Sequence, residues 1–151
     1  MDETDRKLLR LLQHNAQISR AELARAVGLS PAGLHKRLHK LHAEGYVRRT
    51  VGLLDRGKLG LDLLCFLKVT FKNNLEAANL PALRHAVERL PEVLECYTLT
   101  GSDDALLKIV VRDHVALRDF LRRLSESQKV INRVETCIVL EEFKEETALP
   151  L

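Results

Sequence analysis

A helix beginning after Ser30 carries the side chains best suited to binding chemistry. Its outward positions begin with a small residue and continue with hydrogen-bond donors; they are Ala32, His35, Lys36, His39 and Lys40. No acidic residue lies between positions 30 and 42, so this face is neutral or positive throughout. Such a face suits the major groove of DNA, where base edges and phosphates accept hydrogen bonds. The pattern predicts that this face and Ser30 contact double-stranded DNA. The alternative is a charged face that is merely solvated.

Capping residues predict the elements that position this helix. Ser19 and Glu22 have the spacing of a capping box, so a helix begins after Ser19, and Gly28 can end it in a left-handed conformation. Ser30-Pro31 begins the next helix, whose buried stripe is Leu34, Leu38 and Leu41. With a first helix over residues 2–14, the pattern predicts a helix-turn-helix in a tri-helical unit; a plain helical hairpin is the alternative.

The segment after the third helix is predicted to connect two domains. Tyr46–Val51 alternates like a strand and could form the wing of a winged helix or a connecting strand. Arg48 and Arg49 suit phosphate contact there, or else lie on a solvated strand face. The turn-rich run Asp55–Gly60 marks the boundary. The predicted domains are residues 1–60, which bind DNA and include a strand linker over about 46–60, and residues 61–151.

Strand and helix patterns alternate in the second half of the chain. The predicted strands are Leu63–Lys72, Val93–Thr100, Ala105–Val111 and Val134–Phe143; the predicted helices are Leu80–Leu90 and one that Asp113 caps. This β-α-β-β-α-β order predicts a ferredoxin-like domain, and hence an α+β protein. Both helices cover one face of the sheet. Apolar side chains on the other face predict burial against a second copy of the chain.

The charge distribution agrees with this division. Residues 1–58 carry 12 Lys and Arg against 6 Asp and Glu, whereas residues 59–151 carry 12 against 15. Only the first half is therefore expected to attract phosphate. No apolar run reaches the length of a membrane span, and the first residues lack the pattern of a secretory signal, which predicts a cytoplasmic protein. Three isolated cysteines at 65, 96 and 137 predict buried thiols in a reducing compartment.

Four runs of residues make the chain resemble the Lrp/AsnC family of transcription regulators over essentially its whole length. They are Asp2-x-x-Asp5-Arg-Lys-Leu-Leu, Glu22–Pro31, Arg37-x-x-x-Leu41 with Gly45, and Thr100-Gly-x-x-Asp104-x-Leu-Leu-Lys. The resemblance implies an N-terminal winged helix-turn-helix domain, in which Arg37 braces the DNA backbone. It also implies a C-terminal ferredoxin-like domain of the RAM/ACT-like kind, which senses a small molecule, usually an amino acid. Such proteins form homodimers, often assembled into octamers.

The resemblance places the effector pocket between neighbouring domains, near residues 101–104. Gly101 and Asp104 are its main candidates; Thr98, Thr100, Asp103 and Thr136 are weaker ones. Gly101 lets a ligand approach the backbone, and Asp104 offers a carboxylate for an α-ammonium group. A plain β-turn is the alternative, since Gly and Asp are common in turns. Ala105 stands where many members have an aromatic residue, which favours a medium or large amino acid. Lys129-Val130 stands where many members have Pro-Gly.

Two rival functions remain open at this point. Siroheme decarboxylases share the architecture but would place His and Arg in the second domain's pocket, whereas His85 and His114 fall in or beside predicted surface helices. No catalytic arrangement is readable. A metal-responsive regulator could use three histidines at i, i+4 and i+7, namely His35, His39 and His42, although Lys36 and Lys40 would repel a cation. We therefore expect no enzyme activity, no metal and no cofactor apart from the effector.

Overall fold

A computed structural model describes residues 1–72, 79–127 and 130–151. The chain forms two compact units. The helical unit comprises Met1–Leu53 and Phe143–Leu151, and the sheet unit comprises Leu54–Glu142. Lys129, one of the two residues expected to distinguish this chain before its last strand, lies outside the described residues. No helix in the described ranges is both long and apolar enough to cross a membrane.

The last residues of the chain pack with the helical unit. Gln13 exchanges two hydrogen bonds with the backbone of Leu149, at 2.8 and 2.9 Å, and Arg10 Nε donates to the Leu151 carbonyl at 2.7 Å. The sequence division at residue 60 had assigned these residues to the second domain. The contacts join positions at least 136 residues apart, so no local pattern in the sequence indicates them.

Three helices build the helical unit: α1 (Glu3–His14), α2 (Arg20–Val27) and α3 (Pro31–Ala43). Capping boxes begin the first two, formed by Asp2 with Asp5 and by Ser19 with Glu22. Gly28 ends α2 with φ at 68°, in the left-handed region that favours glycine. A short turn therefore separates α2 from α3. The predicted helix-turn-helix is confirmed.

Apolar side chains from all three helices form the core of the helical unit. The buried set is Leu8, Leu9, Leu23, Ala24, Leu34, Leu38 and Leu41. The three leucines of α3 share one face of that helix, as their spacing predicts. Their burial leaves the opposite face of α3 in solvent.

The predicted strand over Tyr46–Val51 is wrong: the described chain has neither helix nor strand between residues 46 and 62. An alternating pattern makes a strand only where a partner strand supplies hydrogen bonds. In the described chain, the four strands of the sheet pair only among themselves. The segment therefore runs without a partner, and Val51, Leu53 and Leu54 are 59%, 75% and 79% exposed.

The sheet unit has the predicted ferredoxin-like order. Its elements are β1 (Leu63–Phe71), α4 (Asn79–Glu88), β2 (Val93–Thr98), β3 (Ala105–Val111), α5 (His114–Ser127) and β4 (Ile131–Ile138). The strands form one antiparallel sheet in the order β2-β3-β1-β4. The α+β fold class is confirmed. β4 ends at Ile138, before the predicted end at Phe143. In its register with β1, the first β1 residue, Leu63, lies opposite position 140, so residues 141–143 have no partner on β1.

One face of this sheet carries the hydrophobic core. Alternate residues of β1 and β3 are buried there together with Leu83 of α4 and with Leu117, Phe120 and Leu124 of α5. Cys65 is buried in this core, while Cys96 and Cys137 are half-buried. The opposite face, here called the outer face, carries Phe66 and Lys68 of β1 and their β3 partners Lys108 and Leu106.

Candidate functional site

The outer face of α3 places the predicted DNA contacts in solvent. Ala32, His35, Lys36, His39 and Lys40 are all exposed. Ser30 caps this helix, because its Oγ accepts a hydrogen bond from the Gly33 N–H at 3.2 Å. Lys40 Nζ lies 3.8 Å from Glu44 Oε1, a loose pair between exposed side chains that a phosphate can displace. The helix therefore presents small residues and cations on one accessible surface.

Arg37 occupies a different position from the other predicted DNA contacts. Its Nη1 lies 2.6 Å from Asp2 Oδ2 and 2.8 Å from Asp5 Oδ1. The guanidinium therefore joins α3 to the first turn of α1. Sequence reasoning assigned Arg37 to DNA and missed these two partners. The pattern Asp2-x-x-Asp5 signalled a cap, but nothing in it pointed to a residue more than 30 positions away.

The aspartates in this cluster are held in the charged form. The backbone N–H of Asp5 and then the Arg37 guanidinium lower the pKa of Asp2. Burial raises the pKa of Asp5, but the Asp2 N–H and Arg37 outweigh it, and the net pKa is lowered. The same contacts raise the pKa of Arg37. The cluster therefore holds two carboxylates and one guanidinium and carries a net charge of −1 at neutral pH.

Acid is expected to weaken the helical unit through these carboxylates. A folded-state pKa below the ordinary value of 3.8 stabilises the folded state above that pH, and the stabilisation is lost as the pH falls through the folded value. The melting temperature of the wild type should exceed that of Asp5→Asn at pH 7, and the difference should shrink as the pH falls below 3.8 through the folded-state pKa. Calorimetry from pH 7 to 2 measures both curves. A difference that stays constant with pH would contradict the assignment.

Arg48 and Arg49 follow α3 in the irregular segment after Gly45, whose φ is 77°. Both arginines are exposed. The two arginines are therefore accessible, and they follow α3 closely in sequence. They lie on an irregular segment and not on the predicted strand.

The predicted effector residues lie mostly in the connection between β2 and β3. Thr98 ends β2, opposite Ala105 of β3. Thr100 and Gly101 are exposed, and Asp103 is half-buried. Gly101 has φ at 126°, and a Cβ placed there would meet nothing within 4 Å, so the backbone at this position is open to approach.

Asp104 has a structural role that the sequence did not show. Its Oδ2 accepts a hydrogen bond from the Phe71 N–H at 2.7 Å, and its own N–H donates to the Val69 carbonyl at 2.9 Å. The residue therefore anchors the connection to the end of β1. This finding strengthens the turn interpretation, although a carboxylate can accept further hydrogen bonds.

Two other effector expectations meet different surroundings. Thr136 lies on β4 opposite Leu67, with β3 and β1 between its strand and β2, about 14 Å across three strand spacings. Within one sheet, Thr136 is therefore far from the other five effector candidates. Ala105 is fully buried in the core beneath the helices. It therefore does not open space for a ligand side chain on the surface of the unit.

The histidines of α3 do not form a metal centre in the structure. His35, His39 and His42 are exposed. Across the described residues, no group of three or more His, Cys, Asp or Glu side chains could hold a metal ion.

Comparison with known proteins identifies the class to which this fold and surface belong. Residues 1–48 match the family model for a winged helix-turn-helix DNA-binding domain, and residues 64–149 match the model for the Lrp/AsnC ligand binding domain. The chain belongs to the Lrp/AsnC family of transcription regulators.

Individual relatives match over nearly their full lengths. The Transcriptional regulator AzlB of Bacillus subtilis is 32% identical, with 100% of this chain and 96% of the relative covered. The Leucine-responsive regulatory protein of Escherichia coli K12 is also 32% identical, with 99% and 90% covered. The solved structure of the Neisseria meningitidis regulator NMB0573 in complex with L-Met has a TM-score of 0.92 at 33% identity, with 99% and 96% covered. Escherichia coli AsnC has a TM-score of 0.88 at 31% identity, with 98% and 97% covered.

Proposed function

We propose that this regulator binds double-stranded DNA through the outer face of α3 and responds to an α-amino acid bound by the sheet unit. The observation that carries the DNA assignment is the acid-free, exposed face of α3, from Ser30 to Lys40. Its lysines would contact phosphates, and its small residues and histidines would approach base edges. Arg48 and Arg49 would add phosphate contacts beside the groove.

An amino acid is the effector class that the surroundings of Gly101 favour. The backbone is open there, and Asp103 and Asp104 supply carboxylates close by in sequence. A carboxylate binds an α-ammonium group through a charge-assisted hydrogen bond, which distinguishes amino acids from simple acids. The solved structure of the Neisseria relative is that of a complex with L-Met, so L-methionine is the first compound to test. The regulator names of the relatives favour binding over catalysis, and we assign no enzymatic activity and no further cofactor. Because a transcription regulator must reach DNA, the proposal places this protein in the cytoplasm of a prokaryotic cell.

DNA affinity measured with and without amino acids tests this proposal. A duplex selected by the wild-type protein from a random pool would be labelled, and its fluorescence anisotropy followed during titration. We expect salt-dependent binding and a change in affinity with at least one of the twenty amino acids, of about 5- to 150-fold, the usual range of coupling between two sites. If the protein binds DNA but no amino acid changes its affinity, the sensing half of the proposal is refuted and the DNA-binding half stands.

The outer face of the sheet is the proposed dimer interface. Phe66 and Leu106 lie on it, and the ion pairs Lys68–Glu135 at 3.3 Å and Lys108–Glu95 at 3.4 Å are on the same face. Apolar side chains framed by polar groups are typical of a surface that a partner covers. A dimer would present two α3 helices to two half-sites on one face of the DNA, and dimers could assemble further into octamers.

Phe66→Lys is expected to dissociate this dimer, because two buried ammonium groups would face each other across the interface. Light scattering after gel filtration at about 10 μM should report twice the 17.1 kDa chain mass, or a multiple of it, for the wild type and 17.1 kDa for the variant. Val115→Lys is the matched control, since Val115 is 57% exposed on α5. A monomeric wild type, or an oligomeric Phe66→Lys variant, would contradict this interface.

A further inference from the structure

Arg37 lies between Lys36 and Lys40 along α3, but its guanidinium contacts the start of α1. One nitrogen, Nη1, is within 2.8 Å of a carboxylate oxygen of both Asp2 and Asp5. We infer that Arg37 is a positioning residue: it holds these two carboxylates and cancels one of their two negative charges, and it supports DNA binding without contacting a phosphate. This inference rests on the proposed function, in which α3 faces the DNA.

The burial of Asp5 explains why Arg37 stays with the carboxylates. Asp5 is 3% exposed, and its Oδ2 accepts a hydrogen bond from the Asp2 N–H. A DNA phosphate could take Nη1 of Arg37 only by leaving the buried Asp5 carboxylate without its cation. An unpaired buried charge is costly, so the carboxylates outcompete a solvated phosphate for this nitrogen.

The position of the cluster explains why its net charge matters for DNA. Asp2, Asp5, Lys36, Arg37 and Lys40 line the same open cavity of about 510 Å³, together with Met1 and Gly33. Without Arg37, two carboxylates would repel the DNA backbone and would attract the neighbouring lysines away from it. The loss of one arginine would then weaken binding although that arginine makes no contact with DNA.

The salt dependence of binding separates a positioning residue from a phosphate contact. Each lost phosphate contact should reduce the slope of log K against log salt by about 0.9 on duplex DNA. We expect Arg37→Gln to bind the selected duplex at least about tenfold more weakly with an unchanged slope. Lys36→Gln is the reference contact and should lower the slope by about 0.9 per protomer. Melting curves establish that each variant is folded at the temperature of the assay.

A rescue experiment tests this effect of charge directly. Asn retains the side-chain oxygen that accepts the capping hydrogen bonds, so Asp2→Asn and Asp5→Asn remove charge but keep the caps. Added to Arg37→Gln, they should restore most of the lost affinity. A slope lowered by about 0.9 in Arg37→Gln, with no rescue in the triple variant, would overturn the inference and make Arg37 a phosphate contact. Unchanged affinity in Arg37→Gln would overturn it as well.

A measurement on the wild type covers the case in which Arg37→Gln does not fold. The carboxyl ¹³C resonance of Asp5 is recorded with and without the duplex. If Arg37 keeps its partners, the chemical shift of this resonance at neutral pH stays unchanged; a change in the chemical shift on DNA binding would overturn the inference. Failure of the proposed function has a separate signature, because Lys36→Gln would then leave both affinity and slope unaltered whatever the Arg37 variants do.

Discussion

Lys36→Glu combined with Lys40→Glu is expected to abolish specific DNA binding while the fold stays intact. Both side chains are exposed on α3, and the only ion pair that either makes among the described residues is the loose one to Glu44. Reversing two charges in each protomer replaces attraction to phosphate by repulsion at every α3 helix of the assembly. We expect affinity to fall at least about 100-fold, which is about 2.8 kcal/mol.

A charge-matched control distinguishes local contact from net charge. Arg84→Glu with Arg118→Glu makes the same change in net charge on exposed positions of α4 and α5. This control should bind DNA within a few-fold of the wild type, and circular dichroism should be the same for all three proteins. Salt-dependent binding retained by the Lys36→Glu, Lys40→Glu variant would show that another surface contacts the DNA.

Local signals were sufficient to predict the helices and most of the sheet. Caps are formed by residues three positions apart, so Ser19, Glu22 and Gly28 could be recognised from spacing alone, and the structure has them where the spacing predicts. β3 begins and ends as predicted, and its near-continuous apolar run includes the buried core residues Ala105, Leu107, Ile109 and Val111. The element order then followed from the alternation of the two periodicities.

Features that depend on distant partners could not be read in the same way. The pattern over Tyr46–Val51 resembles a strand, yet no other strand pairs with it in the described chain. Arg37 looks like one more cation of α3 until Asp2 and Asp5 are seen beside it. Asp104 looks like a ligand or a turn residue, and only the position of the Phe71 N–H shows that it anchors the connection to β1. Each case was decided by a contact that spans 30 or more residues or by the absence of such a contact.

Asp104→Asn is expected to weaken binding of the effector amino acid at least about tenfold, because a hydrogen bond to a charged group contributes about 1.5–3 kcal/mol. Asn keeps an oxygen that can accept from the Phe71 N–H, so the anchor to β1 remains. Asp104→Ala removes the anchor as well and leaves the buried Phe71 N–H without its acceptor. It should therefore also lower the melting temperature, which Asp104→Asn should not.

The comparison of these two variants separates binding from structure. Calorimetric titration would use the amino acid that raises the melting temperature of the wild type most, since a ligand of the folded state stabilises it by mass action. Asp103→Asn is the matched control. The Asp103 carboxylate helps to raise the pKa of Lys68 on the outer face, and its removal should weaken effector binding less than the removal of the Asp104 charge. If Asp104→Asn binds the amino acid as tightly as the wild type while Asp104→Ala is merely less stable, Asp104 is an anchor of the sheet, and the ammonium group is bound elsewhere.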